Sequence, residues 1–159
     1  MIFITVGTQK FQFNRLLKEI DRLIEEEKIT EEVFAQIGYS DYKPKNYNYK
    51  DFIDRDEFED IIKKCKIIIT HGGTGSIIGA VKQRKKVVAV PRLKEFGEHV
   101  DDHQIQIVSE FESIGFIEAA QSVEMLGNAI ANIDKLDLKE YISNTDNIIK
   151  EIEVFIRKI

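Results

Sequence analysis

Cysteine and histidine are scarce in this chain of 159 residues, which contains one cysteine and three histidines. The single Cys65 excludes an internal disulfide and every zinc site that needs several cysteines. Because Cys65 lies between the apolar residues Ile62 and Ile67, we interpret it as a small core residue in a cytosolic protein. No apolar run approaches the ~20 residues that a membrane-spanning helix requires, and we expect no signal peptide.

Positive charge is also in deficit, since 23 Lys and Arg residues face 28 Asp and Glu residues and give a net charge of −5. This balance argues against a nucleic-acid partner, because binding along a duplex requires neutralisation of its phosphates. The one basic run, residues 82–86, is typical of a solvated helix end. With 43% hydrophobic and 32% charged residues, the composition predicts one folded domain over residues 1–159.

Apolar residues recur along the chain with strand-like and helix-like spacing in turn. Short apolar runs predict strands at residues 2–6, 33–37, 49–53, 67–70, 87–90 and 116–117. Helical spacing predicts helices at residues 14–27, 56–64, 76–83, 101–111, 122–132 and 147–158. We expect Asn14 to cap the first helix. This alternation predicts an α/β fold with a doubly wound, parallel, Rossmann-like sheet. Ligands of such sheets bind beyond the carboxyl ends of the strands, which directs attention to loops 7–13, 71–76 and 91–103.

Three glycines stand within four residues directly after the fourth predicted strand, in the sequence His71-Gly72-Gly73-Thr74-Gly75-Ser76. Glycines let the backbone turn sharply and let a ligand approach main-chain N–H groups. We expect Thr74 and Ser76 to cap the helix that follows. A helix N-terminus with unpaired N–H groups is a site for phosphate, and His71 would add a hydrogen bond to the same anion.

Two familiar nucleotide-binding patterns are absent. The glycine loop is not Gly-x-Gly-x-x-Gly, and it is not a Walker loop because no Gly-Lys-Ser/Thr follows. A nicotinamide-dependent oxidoreductase is an alternative by fold analogy alone. The missing fingerprint after the first strand counts against it.

The segment 90–104 is unusually polar for the end of a buried strand, and it contains the other two histidines, His99 and His103. These histidines lie on opposite sides of a loop-to-helix boundary and their spacing fixes no third ligand, so we predict no metal site. Asp102, His103 and Gln104 offer the donors and acceptors that sugar hydroxyls need. The structural alternative is that Asp102 caps the helix and Gln104 is solvated.

The order of these motifs resembles the C-terminal, nucleotide-sugar-binding domain of GT-B glycosyltransferases of family 28. The similarity rests on residues 6–11, 71–76, 87–91 and 99–104, and it extends over roughly residues 1–120. Within that family the chain is similar to the stand-alone bacterial subunits of capsule and exopolysaccharide synthesis. It is also similar to the small catalytic subunit of the eukaryotic enzyme that adds the second N-acetylglucosamine to dolichol diphosphate.

The resemblance implies the donor-binding catalytic subunit of an inverting UDP-sugar glycosyltransferase, a hexosyltransferase that extends a polyprenyl-diphosphate-linked saccharide. A membrane-associated partner subunit would present the lipid-linked acceptor and recruit this cytoplasmic chain to the inner face of the membrane. The C-terminal helix 145–159 would dock on that partner, although packing on its own domain is the default expectation. No metal or other cofactor is implied, because the helix dipole and side chains stabilise the leaving UDP.

The resemblance also assigns roles to individual residues. His71 would hold the donor diphosphate together with the backbone N–H groups of Gly72, Gly73, Thr74, Gly75 and Ser76. The donor sugar would face Asp102, His103 and Gln104, and the acceptor half would face Gly7 and Thr8.

One position departs from the family pattern. Related enzymes have a carboxylate eight residues after the motif histidine that binds the ribose hydroxyls, and this chain has Gly79 there. Either Glu95 or Glu98 takes that role, or UDP binds more weakly. A non-catalytic accessory subunit is therefore the rival interpretation. The general base that deprotonates the acceptor hydroxyl is open among His99, Glu98 and Asp101.

Overall fold

The computed structural model describes residues 1–157, which form one six-stranded parallel sheet with helices on both faces. The strands are β1 (Ile2–Thr5), β2 (Val33–Gln36), β3 (Asn48–Lys50), β4 (Ile67–His71), β5 (Lys86–Val90) and β6 (Glu118–Ala119). The helices are α1 (Asn14–Glu25), α2 (Arg55–Lys64), α3 (Thr74–Lys82), α4 (His103–Ile114), α5 (Leu126–Asn132) and α6 (Thr145–Ile156). The strand order is β3-β2-β1-β4-β5-β6, which confirms the doubly wound, Rossmann-like fold.

Each face of the sheet has its own core. Side chains alternate along a strand, so Ile2 and Ile4 of β1 face one side and Phe3 faces the other. The first side packs on α1 and α5, and α1 fits there because apolar residues recur along one of its faces. The second side packs on α2, α3 and α4. Both faces of the central strands β1, β4 and β5 are therefore buried, which explains their continuous apolar sequences.

The strand order places the predicted site loops side by side. The order reverses between β1 and β4, whose registers pair Thr5 with Thr70, and β4 pairs next with β5. The loops that follow β1, β4 and β5 consequently leave the same edge of the sheet at adjacent positions. The carboxyl edge at this reversal is where open α/β sheets bind ligands.

Two predicted helix caps are wrong. Helix α3 begins two residues earlier than predicted, after the extended Gly73, and no side chain caps it, so Thr74 and Ser76 lie in its first turn. Asn14 is the first residue of α1 and does not cap it. Its N–H instead donates to the side-chain oxygen of Gln12, 2.7 Å away.

The last strand is also displaced from its predicted position. Helix α4 continues to Ile114 and ends at Gly115, which has a φ of 87°. That left-handed conformation suits glycine and is a common way to end a helix. The helix predicted to end at residue 111 therefore ends three residues later, and the strand predicted at residues 116–117 lies instead at Glu118–Ala119.

Helix α6 contributes nothing to the core. None of its residues is buried, and the exposed fractions of Ile148, Ile152 and Phe155 are 51%, 52% and 66%. The default expectation that this helix packs on its own domain is therefore not met over residues 145–157. Residues 158–159, part of the predicted last helix, lie outside the described residues. Within residues 1–157, every helix is too short or too polar to cross a membrane.

Candidate functional site

A cleft of about 730 Å³ opens at the carboxyl edge of the sheet, at the reversal of strand order. Its walls come from the ends of β1, β2 and β4, the start of α2, the glycine loop with the start of α3, and the start of α4. The lining residues are Thr5, Gly7, Thr8, Gln9, Gln36, Ile53, Asp54, Arg55, Phe58, His71, Gly72, Gly73, Thr74, Gly75, Ser76, His99, His103, Gln104 and Ile107. The structure thus brings together eleven of the fourteen candidate site residues that the sequence singled out.

His71 is held between two glycines at the floor of this cleft. A Cβ atom on Gly7 would lie 2.7 Å from Cε1 of the imidazole, and one on Gly73 would lie 2.3 Å from its Nε2. Gly7 also has a φ of 76°, which glycine adopts without strain. The ring consequently sits where a side chain at either neighbour would displace it, and only 7% of His71 is exposed.

The environment of His71 keeps its imidazole neutral. Burial, together with the nearby positive charge of Arg92, lowers the pKa of His71 to about 4. The Thr70 hydroxyl donates its only proton to the carbonyl oxygen of Thr5 at 3.0 Å, so its contact with His71 Nδ1 at 3.4 Å favours a proton on Nδ1. In that tautomer Nε2 presents a lone pair.

The first turn of α3 presents main-chain donors to the cleft. Its first backbone hydrogen bond runs from Ile77 N to Gly73 O, so the N–H groups of Thr74, Gly75 and Ser76 have no acceptor within the helix. The positive end of the α3 dipole adds to their attraction for an anion. The sequence predicted main-chain donors at the start of this helix. It also included the N–H of Gly72 among them, but that N–H already donates to a side chain.

The N–H of Gly72 donates to Oε1 of Gln104 at 3.0 Å, and the N–H of Arg92 donates to the same oxygen at 3.1 Å. The Gln104 side chain therefore ties the glycine loop to the segment after β5. Only 3% of Gln104 is exposed, so it is not solvated. Its amide Nε2 has no hydrogen-bond partner among residues 1–157 and is the part of the side chain left for a ligand.

Three predicted carboxylates do not line this cleft. The fully buried Glu98 uses both oxygens, with Arg15 at 2.8 and 3.0 Å and with Leu93 N at 3.0 Å. It therefore cannot act as the general base or bind ribose, which corrects that expectation. Glu95 is exposed outside the cleft.

Asp102 immediately precedes α4 but does not cap it. Its carboxylate accepts from Lys94 N at 2.8 Å, on the outside of the loop, so it does not reach a sugar in the cleft. Asp101 makes the hydrogen bond at the helix start that was expected of Asp102, because its carboxylate accepts from His103 N at 3.2 Å. Hydrogen bonds from His103 hold the pKa of Asp101 below its usual range.

Two further sets of residues were missed from the sequence. The start of α2 supplies Ile53 and Phe58 to the cleft, and the position of this helix after β3 was the only signal for it. Arg92 is fully buried and donates to Val6 O at 2.6 Å, and two of its guanidinium nitrogens, Nε and Nη1, have no partner in the described part of the chain. Burial lowers the pKa of Arg92 to about 10, so it stays charged at neutral pH.

The sequence matches a family model described as the glycosyltransferase family 28 C-terminal domain, over residues 1–158. The chain belongs to this glycosyltransferase family. The match spans nearly the whole chain and includes the glycine loop, the cleft and the segment after β5.

Solved glycosyltransferases share the fold of this domain. SnogD from Streptomyces nogalater is 18% identical with a TM-score of 0.57, and MurG from Acinetobacter baumannii is 17% identical with a TM-score of 0.56. The kitacinnamycin glycosyltransferase is 14% identical with a TM-score of 0.58. The alignments cover 84–86% of this chain but only 34–42% of those proteins. No curated protein matches the sequence.

These likenesses confirm a GT-B glycosyltransferase fold. Family membership also sets aside the nicotinamide-dependent oxidoreductase, which rested on fold analogy alone.

Proposed function

We propose that this glycosyltransferase domain binds a UDP-sugar donor in the cleft and serves as the catalytic, donor-binding subunit of an inverting hexosyltransferase. The observation that carries the proposal is the row of N–H groups on Thr74, Gly75 and Ser76, which have no acceptor within α3 and line a cleft of about 730 Å³. Such a row at the positive end of a helix suits a diphosphate. The same groups would stabilise the charge that develops on the leaving UDP, so the proposed transfer requires no metal.

His71 has a modest part in this proposal. Because its imidazole is neutral, His71 brings no positive charge to the diphosphate and offers at most one hydrogen bond from a neutral donor. With its proton on Nδ1 the ring must first change tautomer or take up a proton before Nε2 can donate. The backbone N–H groups of α3 therefore supply most of the proposed affinity.

The two ends of the cleft suit the two other parts of a UDP-sugar. Beside α2, next to Asp54 and Arg55, Ile53 and Phe58 offer apolar contacts that fit the flat face of a nucleobase. On the side of α4, His103 and the free amide of Gln104 offer polar groups to the sugar. His99 lies on the same wall and is the candidate general base that we retain.

We further propose a membrane-associated partner that supplies the acceptor half. Gly7 and Thr8 line the cleft, and the chain covers about a third of the SnogD length. The apolar face of α6 would dock on this partner and bring the domain to the inner face of the membrane. Its acceptor would be a polyprenyl-diphosphate-linked saccharide of capsule or exopolysaccharide synthesis.

The second candidate function is a non-catalytic accessory subunit. It rests on Gly79, which offers no carboxylate and whose added Cβ would meet no atom within 4 Å. The two candidates differ in whether this chain binds UDP.

A single N–H group can be removed to test donor binding. Thr74 is the first residue of α3, and Gly73 before it is extended, with φ −81° and ψ 119°. Proline fits the first helical position after an extended residue, so Thr74→Pro deletes one N–H and preserves the helix. The matched control Thr74→Ala removes the hydroxyl and keeps the N–H.

We expect calorimetry to show 1:1 binding of UDP to the wild-type chain without metal. A hydrogen bond to a charged group contributes about 1.5–3 kcal/mol, so Thr74→Pro should weaken UDP at least about tenfold. Thr74→Ala should stay within about threefold of the wild type, since it loses no main-chain donor. Equal affinity of the proline and alanine variants would contradict the assignment of the diphosphate to this turn. If the chain binds no UDP alone or with its co-purified partner, the accessory subunit is favoured.

A further inference from the structure

Two imidazoles and a carboxylate meet on the α4 side of the cleft, outside the glycine loop. Ligand atoms of His99, Asp101 and His103 all lie within 4.8 Å of one another. Nδ1 of His99 is 3.2 Å from Oδ1 of Asp101, and Nδ1 of His103 contacts the same oxygen. The sequence spacing fixed no third ligand for the two histidines, and the structure supplies Asp101.

We propose that His99, Asp101 and His103 form a binding site for a divalent transition-metal ion such as Zn²⁺. Two ligands on one tetrahedral ion, with bonds of about 2.0–2.1 Å, are separated by roughly 3.3 Å. The 3.2 Å between His99 Nδ1 and Asp101 Oδ1 matches this separation, whereas Nδ1 of His103 lies closer to the same oxygen and must move away from it when an ion binds. The proposal is independent of the diphosphate site, because it uses no residue of the glycine loop. A metal-bound His99 has no free lone pair for the acceptor proton, so the metal site and the general-base role of His99 exclude each other, and the titration below decides between them.

The surroundings hold the ligands near this geometry before an ion binds. The ring of His99 packs against Phe11 with centroids 5.3 Å apart and meets the ring of His103 edge-on at 4.7 Å. Only 8% of the His99 side chain is exposed. Glu98, the residue before His99 in the chain, is itself held by two hydrogen bonds from Arg15. Ligands that are already ordered lose little conformational entropy on binding.

The donor set selects the class of ion. Imidazole nitrogens suit Zn²⁺, Co²⁺, Ni²⁺ and Cu²⁺, whereas Mg²⁺ and Ca²⁺ prefer sites built from oxygen. Two histidines and one carboxylate also leave coordination positions open. Because His99 and His103 line the cleft, those open positions face its interior, where a water or a ligand oxygen would complete the coordination.

A local role explains only part of this cluster. Asp101 accepts from His103 N at 3.2 Å, which accounts for a carboxylate at the start of α4. That role requires neither imidazole. Both rings direct a nitrogen at the same oxygen, which either imidazole–carboxylate hydrogen bonds or a shared ion would produce, and the titration below distinguishes the two.

The test uses the full, untagged chain and metal ions alone. Metal-free protein is titrated with Co²⁺, and the visible absorption of the ion reports coordination by nitrogen and oxygen ligands; Zn²⁺ is then added as a competitor. The variants are Asp101→Asn and His103→Gln, both at exposed side chains where substitution leaves the fold intact. Asp102→Asn is the matched control, since its carboxylate lies next to the cluster but outside it.

We expect one Co²⁺ per chain, displaced by Zn²⁺, and affinity weakened by more than about tenfold in Asp101→Asn and in His103→Gln. Asp102→Asn should stay within about twofold of the wild type. The proposal is overturned if the wild type does not bind Co²⁺ or Zn²⁺, or if the two cluster variants bind as tightly as Asp102→Asn. UDP binding at the glycine loop is measured separately, so either proposal can fail without the other.

Discussion

The neutral imidazole of His71 makes the stability of this domain sensitive to mild acid. In the unfolded chain the pKa of a histidine is 6.5, whereas the fold lowers that of His71 to about 4. Between these two values the unfolded chain binds a proton at this position and the folded chain does not. Stability falls as the pH falls wherever the unfolded state binds more protons, so His71 destabilises the fold progressively below pH 6.5.

The magnitude follows from the difference between the two pKa values, which is about 2.5. Each pKa unit corresponds to about 1.4 kcal/mol, so the full effect near pH 4 is on the order of 3 kcal/mol. Between pH 7 and pH 5, linkage predicts that His71 lowers the free energy of unfolding by about 2 kcal/mol. That is a large fraction of the stability of a typical domain.

The assay is urea-induced unfolding at pH 7, 6 and 5, for the wild type and for His71→Asn. Asparagine does not titrate, and each protein is compared with itself at pH 7, so a constant loss of packing cancels. Carboxylates contribute equally to both proteins, so the difference between the two pH profiles isolates His71. We expect the wild type to lose about 2 kcal/mol more than the variant between pH 7 and pH 5. Parallel profiles would refute the reasoning that burial and Arg92 keep this ring neutral.

Three other substitutions test separate parts of the structure by urea unfolding and by binding. Glu98→Ala leaves Arg15 without its buried partner and should lower the free energy of unfolding by about 3–5 kcal/mol, and a loss under 1 kcal/mol would contradict the buried ion pair. Gly79→Ala adds a methyl group in open space within a helix and should raise the free energy of unfolding by about 0.8–1.0 kcal/mol, whereas destabilisation would mean that the space is not free. The double substitution Ile152→Ser with Phe155→Ser lies on the exposed face of α6 and should change the free energy of unfolding by less than about 0.5 kcal/mol. It should abolish co-purification with the proposed partner, and retained co-purification would exclude α6 from that interface.

The fold could be predicted because its signals are local. Buried parallel strands such as β4 and β5 are continuous apolar runs, and α1 carries its apolar residues at helical spacing. Strands that alternate with helices then leave few topologies other than a doubly wound sheet. The errors lie at the ends of helices, where a single glycine determines the residue at which the helix begins or ends. Gly73 lets α3 begin early, and Gly115 ends α4 later than predicted.

The loops that form the candidate site could be predicted, but the contacts of individual side chains could be predicted only where one loop contains them. The glycine loop with His71 is contiguous in sequence, and its place after a strand indicated an anion site. The role of Glu98 depends on Arg15, which lies 83 residues away in sequence. Gln104 likewise bonds to Gly72 at a separation of 32 residues. Hydrophobic periodicity does not show which distant polar residues contact each other. In the sequence, the buried ion pair of Glu98 and the hydrogen bond of Gln104 therefore looked the same as polar residues that face solvent.

The shared acceptor on Gln104 links two loops into one cooperative unit. Its single carbonyl oxygen receives the N–H groups of Gly72 and Arg92, which belong to different strand ends. Neither N–H can exchange with water until its hydrogen bond to Gln104 breaks. Hydrogen exchange at the two amides should therefore be slow and correlated, because one opening event exposes both. The cleft therefore offers its ligands a preassembled rim, and association should not wait for loop ordering.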